Sequence, residues 1–401
     1  MFEKALVYRA GVKSKVDLGL LAETIFFYGN TQLLLDRGSL AALVQLMPQH
    51  ILLELFDSQT IKLSYVRQNF AVMSAGIPVA HDFGAITLHG NTDGTKVRSY
   101  QEDITILLER QLGKSRATQR FAQKIADRTA LHRFKGVEEK EKIVPDLMRS
   151  DLKDADFLHH AVKSILTRLV PGWTANQAFS FRVFKSSKGD YFVDTDLNFE
   201  KLNEAFHTVV DPKEDTLTVA RILAEIQDAR ADTFFAAYYM AEPVTGPLSS
   251  EIMMLKHFEF LRQRKSNADD IELFNELIVP DFPTLRETIN SQERSFEEFV
   301  KFLPKAAKFK KFLNQANPDV GLIKSYQDEV TAKSWVETLP GKAIRFVVAS
   351  GTGLAASALI GPVGGVGVGL ANTFLLDRLL KGWKPSRFIE GPYRKFVLPD
   401  R

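Results

Sequence analysis

The amino-acid sequence predicts an α+β protein, and three observations lead to this fold class. Helical and strand periods alternate over residues 16–90, and two apolar strand-like stretches at 179–184 and 191–193 flank a polar connection. Helical periods dominate from residue 215 onward. We therefore expect a small N-terminal α/β domain, a central β-hairpin with helices, and a mainly helical C-terminal part that carries a glycine-rich apolar hairpin.

The N-terminal α/β domain is expected to span residues 1–95. Asp17 can cap a first helix, an apolar strand follows at 31–35, and Asp36 precedes a second helix that Pro48 interrupts. Three further strand candidates lie at 60–66, 70–74 and 83–88. The glycine- and asparagine-rich residues that follow indicate a loop, which sets the domain boundary.

The rest of the chain divides into three parts by local pattern. Residues 96–175 are charged and helical and suggest a connector, whereas residues 176–340 combine the β-hairpin with helices. Prolines divide the later helices, and Pro304 is placed to start one of them. Residues 341–401 hold the glycine-rich apolar hairpin and a basic tail.

Composition excludes several classes of protein. The chain has 52 Lys and Arg against 49 Asp and Glu, a net charge of +3, which is close to balance. It contains no cysteine, so thiol catalysis, cysteine-ligated metal centres and disulfides are excluded. The N-terminal residues lack an apolar stretch of signal-peptide length, so we expect a cytoplasmic protein.

Residues 346–376 are the most unusual part of the sequence. These 31 residues include no charged side chain and seven glycines. Basic residues flank them on both sides, namely Lys342, Arg345, Arg378, Lys381, Lys384 and Arg387. The positions that form the turn or allow close helix packing are Gly351, Gly353, Gly361, Pro362, Gly364, Gly365, Gly367 and Gly369.

The length of this segment favours a helical hairpin. A turn at residues 361–365 leaves arms of about 15 residues, or about 22 Å, which is shorter than the roughly 30 Å of bilayer hydrocarbon. Basic residues at both ends would keep both ends on the cytoplasmic side of a membrane. Small residues repeat every four positions from Gly353 to Gly369 and would let the arms pack closely. The segment resembles the glycine-zipper hairpins of membrane-active bacterial proteins.

The sequence of this segment also allows two other interpretations. The hairpin can instead be buried in a soluble fold, where glycines permit close helix crossing. The residues Gly351-x-Gly353-x-x-Ala356 also match a dinucleotide-binding pattern. The helix that would follow contains six glycines and prolines, and only 24 residues remain after Asp377. We therefore expect no cofactor.

Two basic clusters are candidate contacts for phosphate groups or lipid. Arg116, Arg120, Lys124 and Arg128 are spaced by four residues and form one stripe on a helix, which can contact phosphates or be a solvated face. Residues 299–312 interleave phenylalanines with lysines. That pattern is typical of a core-facing phenylalanine row with lysines outside, and it also fits an interfacial helix.

Enzymatic candidates are few. Asp194 and Asp196 follow a strand at positions i and i+2, which allows a Mg²⁺ site for hydrolysis, although Asp196 can also serve as a helix cap. The sequence contains no P-loop and no nucleophile elbow. A catalytic acid–base pair could still be assembled from residues that are distant in sequence.

The sequence therefore favours a non-enzymatic, bacterial, cytoplasmic protein, peripheral on the inner membrane, that engages lipid through the glycine-rich hairpin as an anchor or a membrane-disrupting effector. The alternatives are a soluble binding or scaffold protein with the hairpin in its core, and a metal-dependent hydrolase that uses Asp194 and Asp196. The expected partners are membrane lipid, another protein or a second copy of the chain, while nucleic acid is disfavoured.

Overall fold

The computed structural model describes residues 4–7, 16–87, 99–132, 142–174, 176–187, 189–278, 283–315 and 385–398. The chain forms two compact units. The helical unit comprises Met1–Glu3, Leu18–Gly29 and Lys265–Arg401, and the sheet unit comprises Lys4–Asp17 and Asn30–Arg264. The predicted α+β class is confirmed.

The strands are, in chain order, β1 (Lys4–Val7), β2 (Asn30–Leu35), β3 (Ile61–Tyr65), β4 (Gln68–Ala75), β5 (Ala80–Thr87), β6 (Ala130–Leu131), β7 (Phe181–Lys185), β8 (Tyr191–Thr195) and β9 (Glu242–Val244). The helices are α1 (Leu18–Phe27), α2 (Arg37–Leu46), α3 (Gln49–Phe56), α4 (Tyr100–Leu112), α5 (Arg116–Arg128), α6 (Ile143–Asp151), α7 (Ala155–Leu169), α8 (Phe199–Phe206), α9 (Val219–Tyr239), α10 (Pro247–Ile278), α11 (Leu285–Asn290), α12 (Phe296–Gln315), α13 (Pro385–Phe388) and α14 (Arg394–Val397), with a π-helix at Ile389–Tyr393 between the last two.

A five-stranded parallel sheet forms one part of the sheet unit. Its strand order is β6-β3-β2-β1-β9, and the register places Ala5 beside Thr31 on one side and beside Glu242 on the other. Its central strands β1 and β2 are almost wholly buried, as expected for a parallel sheet that is covered on both faces.

A four-stranded antiparallel sheet, in the order β4-β5-β8-β7, forms the other part. It consists of two hairpins. The hairpin of β4 and β5 pairs over eight residue pairs, and the hairpin of β7 and β8 pairs over five. The two hairpins meet at a single pair, His81 with Tyr191. Beneath them, α7 and α9 bury their apolar faces in the core of the unit.

Local sequence signals explain where the helices begin. Asp36 caps α2, because its carboxylate accepts the Ser39 N–H at 2.8 Å while the Ser39 hydroxyl accepts the Asp36 N–H at 2.9 Å. Ser99 and Glu102 form the same reciprocal arrangement at α4. These caps satisfy N–H groups that have no partner within the helix.

The helical unit is built around phenylalanine side chains. Helices α1 and α11 cross closely at Gly19, where the Gly19 N–H donates to Asn290 Oδ1 at 2.9 Å. Helix α12 presents Phe299, Phe302, Phe309 and Phe312 to the core, and all four are buried. Their spacing of three, seven and three residues keeps them on one helical face.

Several sequence expectations are corrected. Strands β1, β6 and β9 were not predicted, so the parallel sheet is not confined to residues 1–95 but takes strands from residues 130–131 and 242–244. Pro304 does not start a helix, because it lies inside α12. The polar sequence Asn267-Ala268-Asp269-Asp270 predicts a break between two helices, but α10 runs continuously through it.

Candidate functional site

A cluster of aromatic side chains in the helical unit brings together parts of the chain that are far apart in sequence. We call it the aromatic anchor, and its members are Phe26, Phe302, Phe309, Phe388, Tyr393 and Phe396. Phe302 stacks on Phe396 with ring centroids 4.5 Å apart, and Phe309 stacks on Phe388 at 5.1 Å. Phe26 packs against Phe309 at 5.5 Å and against Tyr393 at 5.3 Å. All six are at least nine-tenths buried.

The aromatic anchor fixes the chain on both sides of residues 316–384. Phe309 lies near the end of α12, and Phe388 lies at the end of α13, just after the interval. The Arg294 side chain adds hydrogen bonds to this contact, because Nε donates to the Phe396 carbonyl at 2.9 Å and Nη2 donates to the Lys395 carbonyl at 3.0 Å. Residues of α12 and of the segment that begins at α13 therefore pack in one cluster.

Most residues of the predicted hairpin lie outside the described residues. These are Gly351, Gly353, Gly361, Pro362, Gly364, Gly365, Gly367 and Gly369, together with Lys342, Arg345, Arg378, Lys381 and Lys384. Arg387 is described, and its side chain is exposed on α13. Among the described residues, no helix is both long enough and apolar enough to span a bilayer.

The lysines and phenylalanines of α12 separate as the core-facing interpretation predicts. The phenylalanines are buried, while Lys301, Lys305, Lys308 and Lys311 are exposed. Lys310 is the exception, since only 9% of it is exposed and its ammonium donates to the carbonyl of Ile25. Burial lowers the pKa of Lys310 to about 8, because a low-dielectric environment disfavours the charged form.

The predicted basic stripe lies on α5. Its apolar face, with Phe121 and Ile125, is buried, while Arg116, Arg120 and Lys124 are exposed. Within the described part of the chain, none of these three cations forms an ion pair with a carboxylate. Arg128 differs, because it donates to both carboxylate oxygens of Asp57 at 2.7 and 2.8 Å. Three of the four predicted cations are therefore available to an anionic ligand.

A cleft of about 990 Å³ opens where the two β-hairpins diverge. Its walls come from the turn of the β4–β5 hairpin, from the β7–β8 hairpin and from the first residues of α9. Lining residues include Pro78, Val79, Phe184, Phe192 and Asp194. The wall is mainly apolar, and Val79 and Phe184 are more than half exposed.

Ser74 and His81 face each other across the β4–β5 ladder and also line this cleft. Ser74 Oγ lies 2.8 Å from His81 Nδ1, and His81 is 4% exposed. Burial lowers the pKa of His81 below its usual value, which keeps the ring neutral at physiological pH. The cleft was not predicted from the sequence, because its residues come from three separate parts of the chain.

The two predicted metal ligands have different environments. Asp194 lines the cleft with an exposed carboxylate. Asp196 Oδ1 accepts the Ser180 N–H at 2.7 Å, so its carboxylate closes the base of the β7–β8 hairpin. Among the described residues, no group of three or more histidine, aspartate or glutamate side chains is arranged to hold a metal ion.

A buried ion network around Asp151 has a structural role. Asp151, with 3% of its side chain exposed, accepts hydrogen bonds from Arg230 Nε at 2.6 Å and pairs with Lys256 Nζ at 2.7 Å. The cavity beside it holds only about 10 Å³, which is too small for a ligand. The network ties α6, α9 and α10 residues together.

Comparisons of the chain with protein families, with curated proteins and with solved structures find no match.

Proposed function

We propose that this is a non-enzymatic bacterial protein that engages a membrane through residues 346–376, from the cytoplasmic side, as an anchor or a membrane-disrupting effector. One observation carries the proposal. The aromatic anchor holds the chain on both sides of residues 316–384, through Phe309 and Phe388. A hairpin that enters a bilayer and returns must begin and end on the same side of the membrane. The aromatic anchor meets this requirement, because it holds the two ends of the interval close together.

The energetics of the proposal combine two terms. Transfer of apolar surface of residues 346–376 into lipid would contribute roughly 25 cal/mol per Å². Basic residues on both flanks, of which Arg387 is exposed on α13, would add around 1 kcal/mol each near an anionic surface. Only the second term is screened by salt.

The exposed cations of α5 provide a second candidate contact for anionic lipid. Arg116, Arg120 and Lys124 have no ion-pair partner in the described parts of the chain, and four-residue spacing places them along one line. We expect this stripe to strengthen binding to anionic lipid at low salt. Nucleic acid is disfavoured as its ligand, because no aromatic base-stacking signature accompanies the cations.

The alternatives differ in what supports them. A soluble binding or scaffold protein would bury residues 346–376 in its own core. A hydrolase that uses Asp194 and Asp196 has less support, because the carboxylate of Asp196 is already engaged by the Ser180 N–H.

The test is flotation of the full chain with liposomes that contain anionic lipid, at low and high salt. Truncation before the hairpin is a poor control, because it would also remove Phe388, Tyr393 and Phe396 from the aromatic anchor. The matched variant therefore replaces residues 346–376 with a glycine–serine linker of equal length and keeps residues 385–398. A second variant, Gly361→Leu/Gly365→Leu, crowds the turn of the hairpin.

We expect the wild type to float at both salt concentrations and the linker variant to stay at the bottom of the gradient. Arg120→Gln/Lys124→Gln should weaken flotation only at low salt. Dye release from the same liposomes then separates anchoring from permeabilisation. If the wild type never floats while the linker variant melts at a lower temperature without lipid, the membrane proposal is wrong and the segment belongs to a soluble core.

A further inference from the structure

The cleft between the two β-hairpins has lining residues from both faces of the antiparallel sheet. Side chains of paired residues lie on the same face, and neighbours along a strand alternate. Ser74 and His81 therefore belong to the face of Tyr191, because His81 pairs with both. Phe192 follows Tyr191 and lies on the opposite face, where its ring stacks on Phe184 at 5.8 Å. The cleft thus has a polar side and an aromatic side.

The polar side includes the beginning of α9. Val219 and Ala220, the first two residues of this 21-residue helix, line the cleft. The Thr218 hydroxyl accepts the Arg221 N–H at 3.1 Å, and the Thr218 carbonyl accepts the Ile222 N–H at 3.0 Å. The N–H groups of Val219 and Ala220 have no hydrogen-bond partner among the described residues, and the first turn contains no acidic side chain. Both features favour an anion at this end of the helix.

Ser74 and His81 add one hydrogen-bond donor to the polar side, whichever tautomer the ring adopts. Ser74 Oγ lies 2.8 Å from His81 Nδ1. His81 Nε2 is hydrogen-bonded to no described residue, although His81 lines the cleft and is only 4% exposed. If the hydroxyl donates to Nδ1, the neutral ring carries its proton on Nε2. If Nδ1 donates to the hydroxyl, the Ser74 O–H can donate elsewhere. A ligand therefore meets a donor in both cases.

The charges around the cleft suit an anion that carries a single charge. None of the described residues that line it is a lysine or an arginine, so a dianionic phosphate would meet no compensating cation. A carboxylate has one charge, which neutral N–H and O–H donors can hold. Asp194 also lines the cleft, but it lies on the aromatic side, where Arg182 is its cross-strand neighbour. Its carboxylate is therefore directed away from the polar side.

We propose that this cleft binds a long-chain carboxylate such as a fatty acid. The carboxylate accepts hydrogen bonds from the first two N–H groups of α9 and from the donor of the Ser74–His81 pair. The apolar tail lies along the aromatic side, where Val79 and Phe184 are more than half exposed. A volume of about 990 Å³ is in the range of small-molecule sites. Each methylene that leaves water should improve affinity about fourfold.

The probe is sodium laurate, below the concentration at which it forms micelles, and isothermal titration calorimetry measures its binding to the full chain. Dodecyltrimethylammonium combines a tail of similar length with a cationic head, and octanoate combines the same head with a shorter tail. The first variant is Val219→Pro, which removes one N–H at a helix position where proline is favoured. Thr218 is already extended, with ψ of 168°, as a residue before proline prefers.

Two further variants complete the set. Ala155→Pro is the matched control, because Ala155 is the exposed first residue of α7 and does not line the cleft. Ser74→Ala/His81→Phe removes the donor that the pair supplies. Circular dichroism and thermal unfolding check that each variant is folded. The glycine–serine linker variant of residues 346–376 tests whether the glycine-rich segment takes up the probe instead.

We expect laurate to bind the wild type, the Ala155→Pro variant and the linker variant equally. Val219→Pro and Ser74→Ala/His81→Phe should each weaken laurate about tenfold, the expected loss for one hydrogen bond to a charged group. Octanoate and dodecyltrimethylammonium should bind the wild type at least about tenfold more weakly than laurate does. The proposal is overturned if laurate does not bind the wild type, if the cationic amphiphile binds as tightly, if the linker variant loses binding, or if Val219→Pro retains the affinity of Ala155→Pro.

Discussion

Lys310 allows the packing of the helical unit to be tested by a pH-dependent experiment. Its side chain is buried, and its ammonium donates to the carbonyl of Ile25. Ile25 belongs to the last turn of α1, where carbonyls lack a partner within the helix. We predict that Lys310→Met stabilises the protein at neutral pH, because methionine fills a similar volume without a charge.

The magnitude follows from the pKa. Burial lowers the pKa of Lys310 from 10.5 to about 8, and one pKa unit corresponds to about 1.4 kcal/mol. The charged form is therefore disfavoured by about 3 kcal/mol at pH 7. Loss of the hydrogen bond to Ile25 offsets about 1 kcal/mol of this. A net gain of about 2 kcal/mol at pH 7 is expected.

The sign of the pH dependence is fixed by linkage. Between pH 8 and 10.5 the unfolded state binds more protons at Lys310 than the folded state does. Wild-type stability relative to the variant therefore rises with pH across this window. The advantage of Lys310→Met should shrink from its full value below pH 8 until, near pH 10.5, only the loss of the hydrogen bond remains.

Urea unfolding of the wild type and Lys310→Met at pH 7, 8, 9 and 10 measures this difference directly. Lys311→Met is the matched control, because Lys311 is the next residue and is exposed. That variant should change stability by less than about 0.5 kcal/mol at every pH. A difference between wild type and Lys310→Met that does not change from pH 7 to pH 10 would refute the burial argument.

Three further predictions concern other buried positions. Gly19→Ala should destabilise the fold by about 1–3 kcal/mol in thermal unfolding, because the new Cβ would lie 2.3 Å from the Arg286 carbonyl oxygen. Gly246→Ala is the control and should leave stability unchanged, because its new Cβ would meet no atom within 4 Å. His132 packs against Tyr239 with its pKa lowered by burial to about 4, so wild-type stability should fall by up to about 3 kcal/mol from pH 6.5 to pH 4. His132→Phe should lose this pH dependence, and an unchanged acid profile would contradict the assignment. Asp151→Asn should lower the free energy of unfolding in urea by about 3–5 kcal/mol, because it removes the negative charge that faces Arg230 and Lys256. A loss below about 1 kcal/mol would show that the fold does not need this network.

The elements with strong local signals could be predicted from the sequence. Helix α2 was predicted to follow Asp36, and the structure places the Asp36 side chain in the N-terminal cap of that helix. The β7–β8 hairpin was predicted from two apolar runs around a polar connection. Its turn contains Gly189 with φ of 101°, a conformation that glycine adopts at little cost. Interactions between near neighbours determine these features, so the local sequence is sufficient.

The missed strands depend on partners that are distant in sequence. Strand β9 has three residues, includes a proline and pairs with β1 across more than 230 positions. Strand β6 has two residues. Stretches this short have no period that distinguishes them from a loop, so only the completed sheet defines them.

The two helices that continue through predicted breaks show how packing overrides local preference. Pro304 lacks an N–H and is expected to cost about 3 kcal/mol inside a helix. Phe302 on one side and Phe309 on the other are both buried in the same core. Full burial of each aromatic side chain contributes about 1.5–3 kcal/mol, so continuation of α12 through the proline is favourable. Asn267 in α10 is likewise fully buried. At such a position tertiary packing, and not helix propensity, determines whether the helix continues.

The candidate sites differ in the same way. The glycine-rich stretch and the α5 stripe are visible in the sequence because their residues are contiguous or evenly spaced. The cleft is not visible, because Val79 and Val193 come together only through the single pair of His81 with Tyr191. The aromatic anchor is intermediate: the phenylalanine row of α12 was predicted to face a core, but its partners Phe388 and Phe396 are identified only by the fold. Because those partners follow the glycine-rich stretch in the chain, any change that displaces residues 385–398 would alter both the stability of the helical unit and the base of the proposed hairpin. Membrane binding and folding must therefore be measured on the same variants.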